Sequence, residues 1–163
     1  MNWFSIVTQD VTKIADAIAY YEKELNSASI EVKLHGNLEK QSASMPGVVE
    51  ARFRQLQEIE GILKHLEIQA RRLKTKHYKK YLENYQRALT SRDAEKYAEG
   101  EDEVCDYEAI VNEWALLRNK WLGVIKALDQ KQWHITNIVK LRVAGMADDC
   151  FSKLPCSFTS ADA

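Results

Sequence analysis

The sequence predicts an all-α protein, and three observations carry that expectation. Only two prolines and six glycines punctuate 163 residues, so long helices can run uninterrupted. Apolar residues recur at three- and four-residue steps over most of the chain. Hydrophobic residues make up 45% and charged residues 29%, which supports a folded core and rules out a disordered chain.

The first helix is capped by Asp10 or Thr12 and carries Ile14, Ala17, Ile18, Tyr21 and Leu25 along one face. Residues 30–34 (IEVKL) alternate apolar and polar before Gly36, the pattern of a short edge strand that pairs with another copy. A short helix over residues 37–44 should end at Met45-Pro46-Gly47, the clearest breaking signal in the chain. From residue 48, Val49, Phe53, Leu56, Ile59, Leu63, Leu66, Ala70 and Leu73 form a stripe with nearly coiled-coil spacing, uninterrupted by proline. A helix of about forty residues spans about 60 Å, and such a rod needs a partner helix along most of its length.

Thr90-Ser91 ends that rod and caps a short helix over residues 92–98, and Gly100 allows a turn. A last long helix should cover residues 102–142, with acids in its first turns where the helix dipole favours them. Its apolar positions include Val104, Val111, Trp114, Leu117, Trp121, Val124, Leu128, Ile135, Ile138 and Leu141. The expected architecture is a long helical hairpin preceded by short N-terminal helices and the edge strand. The chain divides into residues 1–47, residues 48–146 (basic helix, acidic elbow, C-terminal oligomerisation helix) and a loosely ordered tail, 147–163.

Charge is separated along this framework although the net charge is only -1. Residues 64–80 (KHLEIQARRLKTKHYKK) hold seven lysines and arginines and a single acid, Glu67. Residues 93–108 hold eight acids and a single base, Lys96. A helix kept soluble by its lysines usually mixes signs. A basic surface whose self-repulsion a polyanion relieves is the more informative reading. Arg72, Lys76 and Lys80 follow one another at steps of four, with Arg71, Lys74 and Lys79 beside them and Tyr78, Tyr81 and Tyr85 interleaved. Cations that track phosphates, with aromatics for base stacking, suit single-stranded nucleic acid.

Catalytic and metal signatures find little support. The histidines (His35, His65, His77, His134) are scattered without cysteine or carboxylate at metal-ligand spacing, and no HExxH, GxSxG or Gly-rich phosphate loop occurs. The acidic elbow lacks the Asp-x-Asp-x-Asp-Gly order of a calcium loop. No enzymatic activity, cofactor or metal is expected. Cys105, Cys150 and Cys156 form no CxxC pair and give an odd count, which fits a reducing, cytoplasmic setting. The N-terminus shows no signal-peptide pattern and no stretch reaches membrane-spanning length, so no membrane association is expected. On the last helix, Trp114 and Trp121 lie a heptad apart and read as core. Trp133, Ile135, Ile138 and Leu141 cover more of its circumference than one neighbour needs, which suggests burial against other subunits.

Three segments, RRLKTKHYKKYLENY, AEKYAEGEDEV and WLGVIKALDQKQWHITNIVKLRVAG, carry a family likeness. Residues 48–146 resemble the UvsY-type recombination mediators of tailed bacteriophages, about three-fifths of the chain. Residues 1–47 and the cysteine-bearing tail have no counterpart in that likeness. The resemblance implies a ring-like homo-oligomer built through the C-terminal helix, with single-stranded DNA held on the basic helix. It also implies two protein partners: a RecA-like recombinase, and the single-strand-binding protein it must displace. Carried over by position, Arg71, Arg72, Lys74, Lys76, Lys79 and Lys80 would contact phosphates and Tyr78 and Tyr81 would stack bases. Trp121, Trp133, Ile135, Ile138 and Leu141 would belong to the subunit interface. The competing expectation is a phage structural or assembly chaperone protein whose hairpin binds a protein partner.

Overall fold

A computed structural model of the chain describes residues 2–84 and 90–146. Five α-helices account for nearly all of them: α1 (Trp3–Gln9), α2 (Ile14–Val32), α3 (Leu38–Asn84), α4 (Ser91–Glu99) and α5 (Asp102–Val143). A 3-10 turn, Val11–Lys13, joins the first two. No strand occurs among the described residues, so the fold is all-α as the spacing predicts.

The helix ends follow local hydrogen bonding. The Asn2 side chain accepts from the Ser5 amide to start α1, and Asp10 accepts from the Thr12 amide at the 3-10 turn. Asn37 accepts from the amides of Glu39 and Lys40 at the start of α3, and Thr90 caps α4 through the Asp93 amide. At the end of α5, Met146 N–H donates to the Leu141 carbonyl and Gly145 N–H to that of Arg142. With Gly145 at φ +72, this is a Schellman closure.

Two expectations for the N-terminal third are corrected. Residues 30–32 are the last turn of α2, not a strand. Leu25, Ala28 and Val32 fall at helical spacing and pack into one cluster, while a lone five-residue strand would leave its backbone groups unpaired. The Met45-Pro46-Gly47 break does not form either, because α3 runs through Pro46. Proline removes the amide that would bond the Ser42 carbonyl, but Met45 is only 4% exposed and Val48 and Val49 pack on the same cluster. That burial outweighs the break.

Paired contacts give the topology. Arg118 meets Glu60, His77 meets Glu103, and Leu128 clusters with Met45, so α3 and α5 are antiparallel. Lys120 meets Glu22 and Lys131 reaches the Glu31 carbonyl, so α2 runs parallel to α5. One end of the hairpin is thus a three-helix bundle. Its main core joins Trp3, Val7, Ile14, Ala17, Tyr21, Leu56, Ile59, Ile62, Leu66, Trp114, Leu117 and Trp121. Tyr21 meets the edges of Trp114 and Trp121, with ring centroids 6.0 and 6.3 Å apart. Helix α1 lies on α3 where Gly61 permits close approach: a Cβ there would sit 3.2 Å from the Phe4 ring. At the other end α2 is absent, and α4 packs beside α3 and the start of α5.

Candidate nucleic-acid interface

The basic segment lies entirely on α3; Leu66 still packs in the main core, but from Arg71 onward only α4 and the start of α5 flank the rod among the described residues. At about 100° per residue, Arg72, Lys76 and Lys79 fall within an arc of about 60°. All three are exposed and make no ion pair among the described residues. They extend over about 10 Å of the helix axis. Arg71 and Lys80, both exposed, flank the row on either side, and Glu83 stands on the same face toward the helix end.

The opposite side of α3 faces the protein's own acids. Lys74 Nζ is 2.5 Å from Glu99 Oε1 and 3.7 Å from Glu95 Oε1, both on α4. His77, only 7% exposed, places Nε2 2.9 Å from Glu103 Oε2 and Nδ1 3.4 Å from Glu101 Oε1. The Tyr81 hydroxyl donates to Glu101 Oε1 at 2.5 Å, and its ring lies 5.5 Å from that of Tyr97. The Tyr78 hydroxyl bonds the Ser91 hydroxyl at 2.8 Å. Lys80 reaches toward Glu101 only loosely, at 3.9 Å.

Electrostatics follow the geometry. The hydrogen bond to Glu99 holds the Lys74 amine above its ordinary value, against a smaller opposing effect of burial. The Tyr81 hydroxyl, helped by the charges of His77 and Lys80, holds the Glu101 carboxyl below its own. The predicted cationic strip is therefore two faces. Arg72, Lys76 and Lys79 form an open one; Lys74, His77, Tyr78 and Tyr81 form one already satisfied from within. His77 belongs to this seam although nothing in the spacing of the histidines marks it. Its only signal in the sequence is its place between Lys76 and Tyr78, opposite an acidic elbow. Tyr85 lies outside the described residues.

Along α5 the expected subunit-interface residues separate as well. Trp121 is fully buried and Ile135 is 3% exposed, both inside the chain's own cores, so neither is available to a second subunit. Trp133 and Leu141 are 58% and 49% exposed, and Ile138 is half-buried. Val139, Val143 and Met146 are exposed beside them. The antiparallel register explains this. With Leu128 beside Met45, the last turns of α5 run past Leu38, where α3 begins.

Nothing among the described residues groups three or more histidines, cysteines or acids as a metal site. No helix of the described residues is long and apolar enough to cross a membrane. Comparison with protein-family models, curated proteins and solved structures returns no match to this chain.

Proposed function

We propose that this protein is a non-enzymatic single-stranded-DNA-binding recombination mediator of the UvsY type, acting as a homo-oligomer in the cytoplasm of a phage-infected cell. The observation that carries the reading is the row Arg72, Lys76 and Lys79: three exposed cations on one face of a rigid helix, with no carboxylate of the chain within ion-pair distance among the described residues. A merely solvated helix gains nothing from leaving such a row unpaired, whereas a phosphate backbone lies along it. Several subunits offering one row each bind a strand tightly through effective concentration, and so hold it for a RecA-like recombinase against a single-strand-binding protein. The exposed apolar end of α5, with Trp133, Leu141 and Val143, supports assembly of such subunits.

Fluorescence polarisation with a labelled oligonucleotide tests the site. Replacing Arg72, Lys76 and Lys79 with alanine should lower affinity at least tenfold and flatten its salt dependence by about 0.7 log unit per lost phosphate contact. Unchanged affinity removes the row from consideration.

The second reading, a phage structural or assembly chaperone protein, is favoured by the neutralised half of the basic segment and by the same apolar end of α5. It predicts no oligonucleotide binding by the wild-type chain at moderate salt.

A further inference from the structure

We propose that α4 is an internal strap over a second nucleic-acid-binding face of α3, which Lys74, Tyr78 and Tyr81 form and which a polyanionic strand uncovers by competing with the carboxylates of Glu95, Glu99 and Glu101. The proposal rests on the reading of α3 as a nucleic-acid interface and assigns a regulation to it. Its support is the chemistry of the seam. The covered face holds the groups that single-strand binding needs, a cation followed by two aromatic rings about one and two turns further along the helix. Two of them are occupied by groups that imitate part of a strand: Glu99 and Glu95 take the place of phosphate oxygens at Lys74, and the Tyr97 ring lies beside Tyr81 where a base would stack, while Tyr78 is held by the Ser91 hydroxyl.

The strap is held weakly. Its only buried residues are Ala94 and Ala98, small side chains with little apolar area to bury. Glu95 and Glu99 have half or more of their side chains exposed, so their attraction to Lys74 is screened by salt and open to exchange. Between α3 and α4 runs a groove of about 350 Å³, lined by Arg71, Lys74, Thr75, Tyr78, Ser91 and Glu95. It gives a strand a place to begin its exchange without prior unfolding of α4. A chain that binds through its open row first therefore gains further contacts only when the strand is present at high local concentration. That is a threshold built from the protein's own acids.

The test uses the full-length chain and a short fluorescein-labelled oligothymidylate across a salt series. The Glu95→Gln/Glu99→Gln variant should bind about tenfold more tightly than wild type. Its salt slope should steepen by about 0.7 for each phosphate newly engaged. Ultraviolet cross-linking should place nucleotide on Tyr78 or Tyr81. A charge-matched control, Glu39→Gln/Glu113→Gln, alters exposed acids away from the seam and should change affinity less than twofold. Adding Lys74→Ala to the strap variant should abolish the gain. Equal gain in the control, gain that survives loss of Lys74, or no oligonucleotide binding by the strap variant each overturn the proposal. If the strap variant behaves as expected but the wild-type chain is indifferent to alanine at Arg72, Lys76 and Lys79, the open-row reading fails and the strap stands.

Discussion

Arg52 shows how a single residue can escape a reading by periodicity. It sits on the core side of α3, 8% exposed, in a place where helical spacing asks for an apolar residue. Its guanidinium bonds Glu31 through two nitrogens at 2.8 and 2.6 Å, and Glu24 at 2.8 Å. It also lies 5.9 Å from the centroid of the Trp121 ring. The two glutamates stand 21 and 28 positions upstream and Trp121 far downstream, so no local pattern reveals them. Replacing Arg52 with methionine should cost about 2–3 kcal/mol in urea denaturation, less than a fully buried pair would, because both glutamates keep about a third of their side chains exposed. The Arg52 hydrogen bond, with help from Gln55, holds the Glu24 carboxyl below its ordinary value. A carboxylate depressed in the folded state stabilises fully above the ordinary range, and that contribution is lost as pH falls through the folded value. Wild type should therefore lose stability below about pH 5 more steeply than the Arg52→Met variant. Equal slopes would show that the pair contributes nothing. Trp121, with no exposed surface, is the opposite case: its heptad relation to Trp114 reads as core at sight, and alanine there should cost about 3–5 kcal/mol.

Among the elements, α4 and α5 were legible almost to the residue, because their starts depend on local groups. Thr90 reaches an amide three residues on, and Glu101 precedes the acid-rich first turn of α5. Helix α1 was not legible. It spans seven residues with only Trp3 and Val7 buried, too short for periodicity to register. Helix α3 was legible only in part, since Pro46 is a true local cost that distant packing overrides. Pro46→Ala, at this exposed position, should stabilise the protein by about 1–3 kcal/mol by restoring a helical hydrogen bond. An unchanged urea midpoint would mean that the helix has already adapted to the missing amide. The seam beneath α4 has its own pH window. The contribution of Glu101, depressed in the fold, is lost as pH falls through its folded value, and that of Lys74, raised in the fold, is lost as pH rises above the lysine range. Amides of α4 should therefore exchange fastest at acidic and strongly alkaline pH, relative to those of the α3–α5 core.

Across the whole molecule, one end of the hairpin is a packed bundle and the other a thinner, charged projection. The bundle gathers most buried apolar side chains, whereas the buried apolar residues of the projection are few and small, Val104 on α5 and the two alanines of α4. The end of α5 that overhangs the bundle leaves Val143 84% exposed and Met146 70% exposed. Light scattering on wild type should show more than one copy per particle, and Leu141→Glu/Val143→Glu should reduce it toward a monomer. A monomeric wild-type chain would remove assembly through this surface.

Helix content, most helix ends and the segregation of charge are determined by the sequence itself. They depend on residues within one or two turns of each other, where spacing and capping act directly. Which lysines and arginines remain free, and how far the last turns of α5 stay exposed, was decided by the antiparallel register of α3 and α5. That register brings Glu99 and Glu101 onto Lys74 and Tyr81 and carries Trp133 to the surface. It is set by large side chains packing across helices far apart in the chain, a match that no window along one helix can display.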